Sequence, residues 1–234
     1  VDEIIIVKSL VKAFGLRPVL RGISFSTGRG QIVSLMGPNG SGKTTLLRIL
    51  AGLSRPTAGS LTIGGWSLPK ELAQVRAQLG VVSHQPLLYD DLTAEENLRF
   101  FARLYNLDRP AERTAAALER VGLARRSRDL LRTFSRGMQQ RLGIARATLH
   151  EPAILLLDEP YTGLDVNGAA MLDGILREWK AAGRSAIMAS HDLEHAAAFS
   201  DQVLIIGQGQ IVVDAPMRTI DDLPALYNRA TGSA

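Results

Sequence analysis

The chain contains no cysteine, so disulfides and thiolate metal sites are excluded and a reducing compartment suits it. Long apolar runs are missing as well. No segment approaches the roughly 20 apolar residues that a membrane-spanning helix needs. The opening stretch 1–7 includes Asp2 and Glu3, unlike a secretory signal. Any membrane role is therefore expected to pass through a partner. An excess of one charge sign is also lacking: 27 Lys and Arg stand against 23 Asp and Glu, a net +4. The basic residues are scattered, with only short clusters such as Arg125-Arg126-Ser127-Arg128. We read them as a solvated face and expect no nucleic-acid partner. Internal repeats, coiled-coil heptads and low-complexity linkers are not found either. What is abundant is core-forming material: 46% of the 234 residues are hydrophobic, enough for one large packed domain.

Along the chain, two short apolar segments, 4–8 and 19–26, read as antiparallel strands ahead of a buried strand at 31–36. A Gly-rich turn and a helix over 44–53 follow, then strands at 59–63 and 80–83. From about residue 92 the composition turns to Ala, Leu, Arg and Glu with helical periodicity, as in 94–105 and 111–121. Strand patterns return at 154–158, 185–190 and 202–206, separated by helical stretches at 168–182 and 193–199. Residues 214–234 read as a short tail, without a long regulatory domain. The expected fold class is α/β: a parallel-sheet core with a small antiparallel β subdomain and a helical subdomain inserted over about 88–149.

Gly37-Pro38-Asn39-Gly40-Ser41-Gly42-Lys43-Thr44 matches G-x-x-x-x-G-K-[ST], the phosphate-binding P-loop. Small residues let successive backbone N–H groups turn inward, and the following helix adds its positive end. Lys43 is expected to reach the β- and γ-phosphates, and the Thr44 hydroxyl to ligate Mg²⁺. The bland reading, a Gly-rich connection and nothing more, is disfavoured by the apolar strand before it and the helix after it. A second apolar strand, 154–158, ends in Asp158 and Glu159. We expect it beside the P-loop strand, opening towards the phosphates. Asp158 would orient Mg²⁺ directly or through water, and Glu159 would polarise the attacking water as general base or orienting group.

Phe134-Ser135-Arg136-Gly137-Met138-Gln139-Gln140-Arg141 resembles the signature of the ABC ATPase family, commonly L-S-G-G-Q followed by x-Q-R. Ser135 is also a good helix N-cap, but the same geometry offers a hydroxyl, backbone N–H groups and a helix dipole to an anion. In that family the anion is the γ-phosphate bound by the opposite subunit. Arg136 and Met138 depart from the common pattern, while Ser135 and Gly137 keep it. Further residues match by order and spacing. Gln85 resembles the Q-loop glutamine, a contact to Mg²⁺ or water. Asp165 resembles the D-loop aspartate, with an N-cap as the plainer alternative. His191 resembles the switch histidine that senses the γ-phosphate. Phe14 resembles the aromatic that stacks on adenine, with a core aromatic as its alternative, and Val19 and Thr45 complete the implied nucleotide set. His84, His150 and His195 have no such placement and read as ordinary.

The resemblance implies an ATP hydrolase using ATP and Mg²⁺. It implies a homodimer or heterodimer of such subunits beneath a separate transmembrane permease, peripheral at the cytoplasmic face of the membrane. Lys43, Gln85, Glu159 and His191 would carry the chemistry. A soluble ABC protein remodelling ribosomes or DNA usually has paired cassettes, coiled-coil insertions or zinc modules, and none is in the sequence. A kinase or GTPase reading fails for want of N-K-x-D and of any use for the signature. Glu159-Pro160-Tyr161-Thr162-Gly163-Leu164-Asp165, with His191-Asp192-Leu193-Glu194, looks like the ATPases of haem exporters in cytochrome c maturation. Export of haem is the leading expectation for the cargo, with drug, ion or antibiotic export as the alternative.

Overall fold

The computed structural model describes residues 2–83 and 86–232. Two long strands, β1 (Glu3–Phe14) and β2 (Arg17–Gly28), form a hairpin that leads into β3 (Ile32–Met36) and helix α1 (Lys43–Leu50). Then come β4 (Ala58–Ile63), β5 (Trp66–Leu68), α2 (Leu72–Ala77) and β6 (Leu79–Val82). Helices α3 (Ala94–Leu104), α4 (Pro110–Arg120) and α5 (Arg136–Thr148) follow. The chain closes with β7 (Ile154–Asp158), α6 (Val166–Ala181), β8 (Ser185–Ala189), α7 (Leu193–Phe199), β9 (Gln202–Gly207), β10 (Gln210–Pro216) and α8 (Leu223–Thr231).

Among the described residues these strands make two sheets. One is antiparallel, in the order β2-β1-β4-β5; the other runs β10-β9-β3-β8-β7-β6 and is parallel except for β10. The first apolar core lies between the sheets, where Ile5, Leu10, Ile23 and Leu61 meet Leu46 and Leu50 of α1 and Leu35 and Leu156 of the parallel strands. On the other face, Leu155, Leu157 and Met188 pack against Leu172, Leu176 and Trp179 of α6. Strands covered on both faces are mostly apolar, which is why β3, β7 and β8 read as near-continuous runs, each with one buried polar residue, Ser34, Asp158 and Ser185.

The helices α3 to α5 share a core of their own, with Leu98, Leu118, Leu131, Phe134 and Leu142. A capping box starts α3: Thr93 accepts from the Glu96 N–H while the Glu96 carboxylate accepts from the Thr93 N–H. Buried Asn97 bonds the Tyr89 N–H at 2.8 Å and three backbone carbonyls, which fixes the chain entering this helix.

Several expectations need correction. β1 and β2 are longer than the two short segments expected, because register shifts around Ser9 (φ +47°) break the alternation at which the reading stopped. The acidic strand does not adjoin the P-loop strand; β8 lies between β7 and β3. The supposed tail from residue 214 instead holds the end of β10 and the whole of α8, which packs Leu223 into a core with Val203, Ile205 and Ala196. β5 and α2 were also unforeseen; both are short, and β5 is mostly exposed.

Candidate functional site

The carboxyl ends of β3, β7 and β8 open at one rim of the parallel sheet, where the turns to the next elements carry the polar residues. After β3 the chain swings through residues 37–42 into α1, whose first residue is Lys43. Gly37 sits so close to β9 that a side chain there would collide with the Ile206 carbonyl. The Lys43 ammonium is buried and donates to the Gly37 carbonyl at 2.7 Å and the Pro38 carbonyl at 3.3 Å. Burial lowers its pKa, and the charges of Glu159 and Asp158 oppose that. A buried cation at the head of a helix is suited to a phosphate. Ser41 adds a buried hydroxyl without a hydrogen-bond partner, and Pro38 and Asn39 stand exposed at the crest.

The acidic strand reaches the same place. Thr44 donates its hydroxyl to Asp158 at 3.2 Å, so two of the expected metal ligands are adjacent. No group of three or more His, Cys, Asp or Glu placed to hold a metal ion occurs among the described residues. One hydroxyl and one carboxylate fit Mg²⁺, which keeps several waters and shares phosphate oxygens rather than needing a full protein cage. Bound there, the ion would neutralise phosphate charge.

Glu159 has φ +50°, a left-handed conformation that a non-glycine residue adopts only when its surroundings hold it. Its N–H donates to the Ala189 carbonyl at 2.9 Å, which ties β7 to the end of β8. From the next turn, His191 donates Nδ1–H to the Glu159 carboxylate at 2.9 Å. Lys43, Thr44, Asp158, Glu159 and His191 thus meet at one rim. Gln85 and His84 lie outside the described residues.

Several of the remaining expected residues line one of two clefts. One, of about 550 Å³, joins Gly40 of the P-loop to Phe14, Val19, Arg17, Arg21 and Gln208. Phe14 is 57% exposed, with the Lys12 ammonium 4.7 Å from its ring centre, so the core-aromatic alternative fails. Its free ring face can take a purine. Thr45, inside α1, is half-buried. The second cleft, of about 520 Å³, is lined by Ser135, Gly137, Asp165, Arg126, Arg136 and Arg141. Ser135 caps α5, accepting from the Met138 N–H at 3.3 Å. A Cβ on Gly137 would stand 2.6 Å from the Gly163 carbonyl, so the signature turn and the turn after Glu159 touch only because that position is glycine. Asp165 caps α6 through Gly168 N–H at 2.8 Å and pairs with Arg141.

The sequence reading missed Arg17, Arg21 and Gln208 in the first cleft, and Arg141 as partner of Asp165. Only tertiary proximity brings them in; no local motif marks them. His150 stays structural: it stacks on Tyr105 with centroids 3.8 Å apart and donates to the Leu79 carbonyl at 3.1 Å. Burial pushes its pKa down to about 4.

Fold and site together define a P-loop nucleotide-binding cassette. The family described as ABC transporter matches residues 20–162. The linearmycin resistance ATP-binding protein LnrL of Bacillus subtilis is 36% identical over 207 residues, covering 88% of this chain and 67% of that protein. The daunorubicin resistance ATP-binding protein DrrA3 of Streptomyces coeruleorubidus is 34% identical, covering 96% and 71%. Among solved structures, a dimeric post-hydrolysis state of the ATP-binding cassette MJ0796, bound to ADP and Pi, superposes with a TM-score of 0.84 at 27% identity, covering 92% and 99%. The chain belongs to the ABC transporter family, as an ATP-binding subunit.

Proposed function

We propose that this chain hydrolyses MgATP and drives the export of an antibiotic-like compound through a separate membrane subunit. The observation that carries the hydrolytic reading is the Glu159–His191 pair, 2.9 Å apart, beside the adjacent Thr44 and Asp158. Lys43 and the loop amides bind the phosphates; Thr44 and Asp158, with Gln85, hold Mg²⁺. Glu159 takes or orients the proton of the attacking water, and His191 holds that carboxylate and meets the γ-phosphate.

Ser135, Gly137 and Asp165 line a different cleft from the P-loop, which supports their acting on the nucleotide of a second subunit. Two subunits then close head to tail on ATP and part after hydrolysis, a population shift driven by contacts to the γ-phosphate. No helix among the described residues is long and apolar enough to cross a membrane. An apolar groove of about 360 Å³, lined by Leu53, Leu87, Leu104 and Tyr105 among others, lies between α1, β6 and α3 and suits the membrane subunit. The names of LnrL and DrrA3 support antibiotic-type cargo; they lend nothing to the expected haem.

Glu159→Gln tests the chemistry. It preserves size and hydrogen bonding but removes the charge, so kcat should fall about 10²- to 10³-fold while MgATP binding persists. The variant should also accumulate as an ATP-bound dimer in light scattering, and adding Ser135→Arg should dissolve that dimer. Normal turnover by Glu159→Gln would refute the assignment, and a dimer indifferent to Ser135→Arg would refute the signature's action across subunits.

A further inference from the structure

Two side chains near the site, Tyr161 and His195, have no part in the reading above. His191 is 74% exposed in its side chain, so apart from its bond to Glu159 its position depends on the backbone that carries it. That backbone is braced locally. The Asp192 N–H donates to the Ser190 hydroxyl at 3.0 Å, and one Asp192 oxygen accepts the Glu194 and His195 N–H groups, each at 3.0 Å. The other Asp192 oxygen accepts Nδ1–H of His195 at 2.7 Å.

The His195 ring lies over that of Tyr161, with centroids 3.9 Å apart and planes 37° to each other. Tyr161 donates its hydroxyl to Asp173 on α6 at 2.7 Å. Burial, and then this bond, raises the Tyr161 pKa, which keeps the phenol a donor. Tyr161 follows Glu159 by two residues. The contacts therefore close a ring: Glu159 to His191, through Asp192 to His195, across to Tyr161, and back along the chain to Glu159.

We propose that His195 and Tyr161 are positioning residues that set the carboxylate of Glu159 and the imidazole of His191 against each other. The inference rests on the roles given above to Glu159 and His191. Glu159 occupies a strained φ that needs outside support, and a water-activating carboxylate loses much of its effect when misplaced by about 1 Å. The ring supplies that support from two sides, because Tyr161 is anchored to α6 and His195 to the cap of α7.

The test is steady-state ATP hydrolysis and MgATP binding by the full chain and its variants. His195→Ala and Tyr161→Ala should lower kcat about 10- to 100-fold, with nucleotide Kd within about twofold. His195→Asn retains a donor near the Nδ1 position and should recover most of the rate. Combined with His191→Ala, the His195→Ala change should cost little more, since the pair it positions is already broken. Tyr161→Phe keeps the ring under His195 and serves if Tyr161→Ala does not fold. Unchanged kcat with a lowered Tm would reduce the ring to packing and overturn the proposal, as would losses that multiply in the double variant. Failure of the underlying reading shows separately, in Glu159→Gln with normal turnover.

Discussion

In the six-stranded sheet, β3, β7 and β8 are each five residues long and buried from end to end. In the four-stranded sheet, β1 and β2 each run for twelve residues and mix buried with exposed positions. The short strands are covered on both faces, cannot shift register without exposing apolar residues, and end abruptly in turns. Their carboxyl ends therefore hold polar residues to fixed positions: Lys43 after β3, Asp158 and Glu159 at β7, His191 after β8. The long hairpin bends, carries register shifts and contributes chiefly Phe14 and Val19 at its rim. In the function proposed above, the rigid strands would carry the chemistry and the hairpin would carry the recognition of a base.

That division can be broken by mutation. The largest effect belongs to the parallel sheet: Lys43→Ala removes the buried cation of the loop, so turnover should vanish and ATP binding weaken by at least about tenfold. Hydrolysis at the normal rate would place the chemistry elsewhere. In the antiparallel sheet, Gly59→Ala forces φ +91° on a residue whose Cβ would lie 2.7 Å from Leu10 Cα. It should cost about 1–3 kcal/mol in denaturant unfolding and leave kcat of the folded protein unchanged. A loss of kcat there would mean that the two sheets are coupled in catalysis. Smallest is Phe14→Ala, which should weaken ATP binding roughly five- to tenfold and leave triphosphate binding intact, read by competition with a fluorescent nucleotide. Equal losses for both ligands would remove Phe14 from base recognition.

The legible parts were those in which one short segment contains its own physics. The loop 37–44 reads as an anion site because of residues within it, and the strand 154–158 announces burial by being apolar at every position before Asp158. Ser135 and Asp165 each cap the helix that follows, a bond made within three residues. The neighbours of such residues were another matter. His195 looked ordinary because Tyr161, whose ring it covers, is far away in the chain. Arg141 gave no sign of pairing with Asp165, nor Gln208 of facing Phe14's cleft. Residues 214–234 read as a tail because α8 is short and its apolar face finds its partners in other elements, β9 and α7 among them.

By itself, then, the sequence determined the Gly-rich loop 37–44, the acidic strand end, the place of His191 just after a buried strand and the alternation of strands with helices, because local periodicity and turn chemistry need no distant partner. Tertiary structure decided the strand order, with β8 between β3 and β7, the distribution of the expected residues between the sheet rim and two clefts, and the ring that joins Glu159 to His191. Those depend on which buried faces fit together, a choice made by packing among residues far apart in the chain, and no spacing along it records the result.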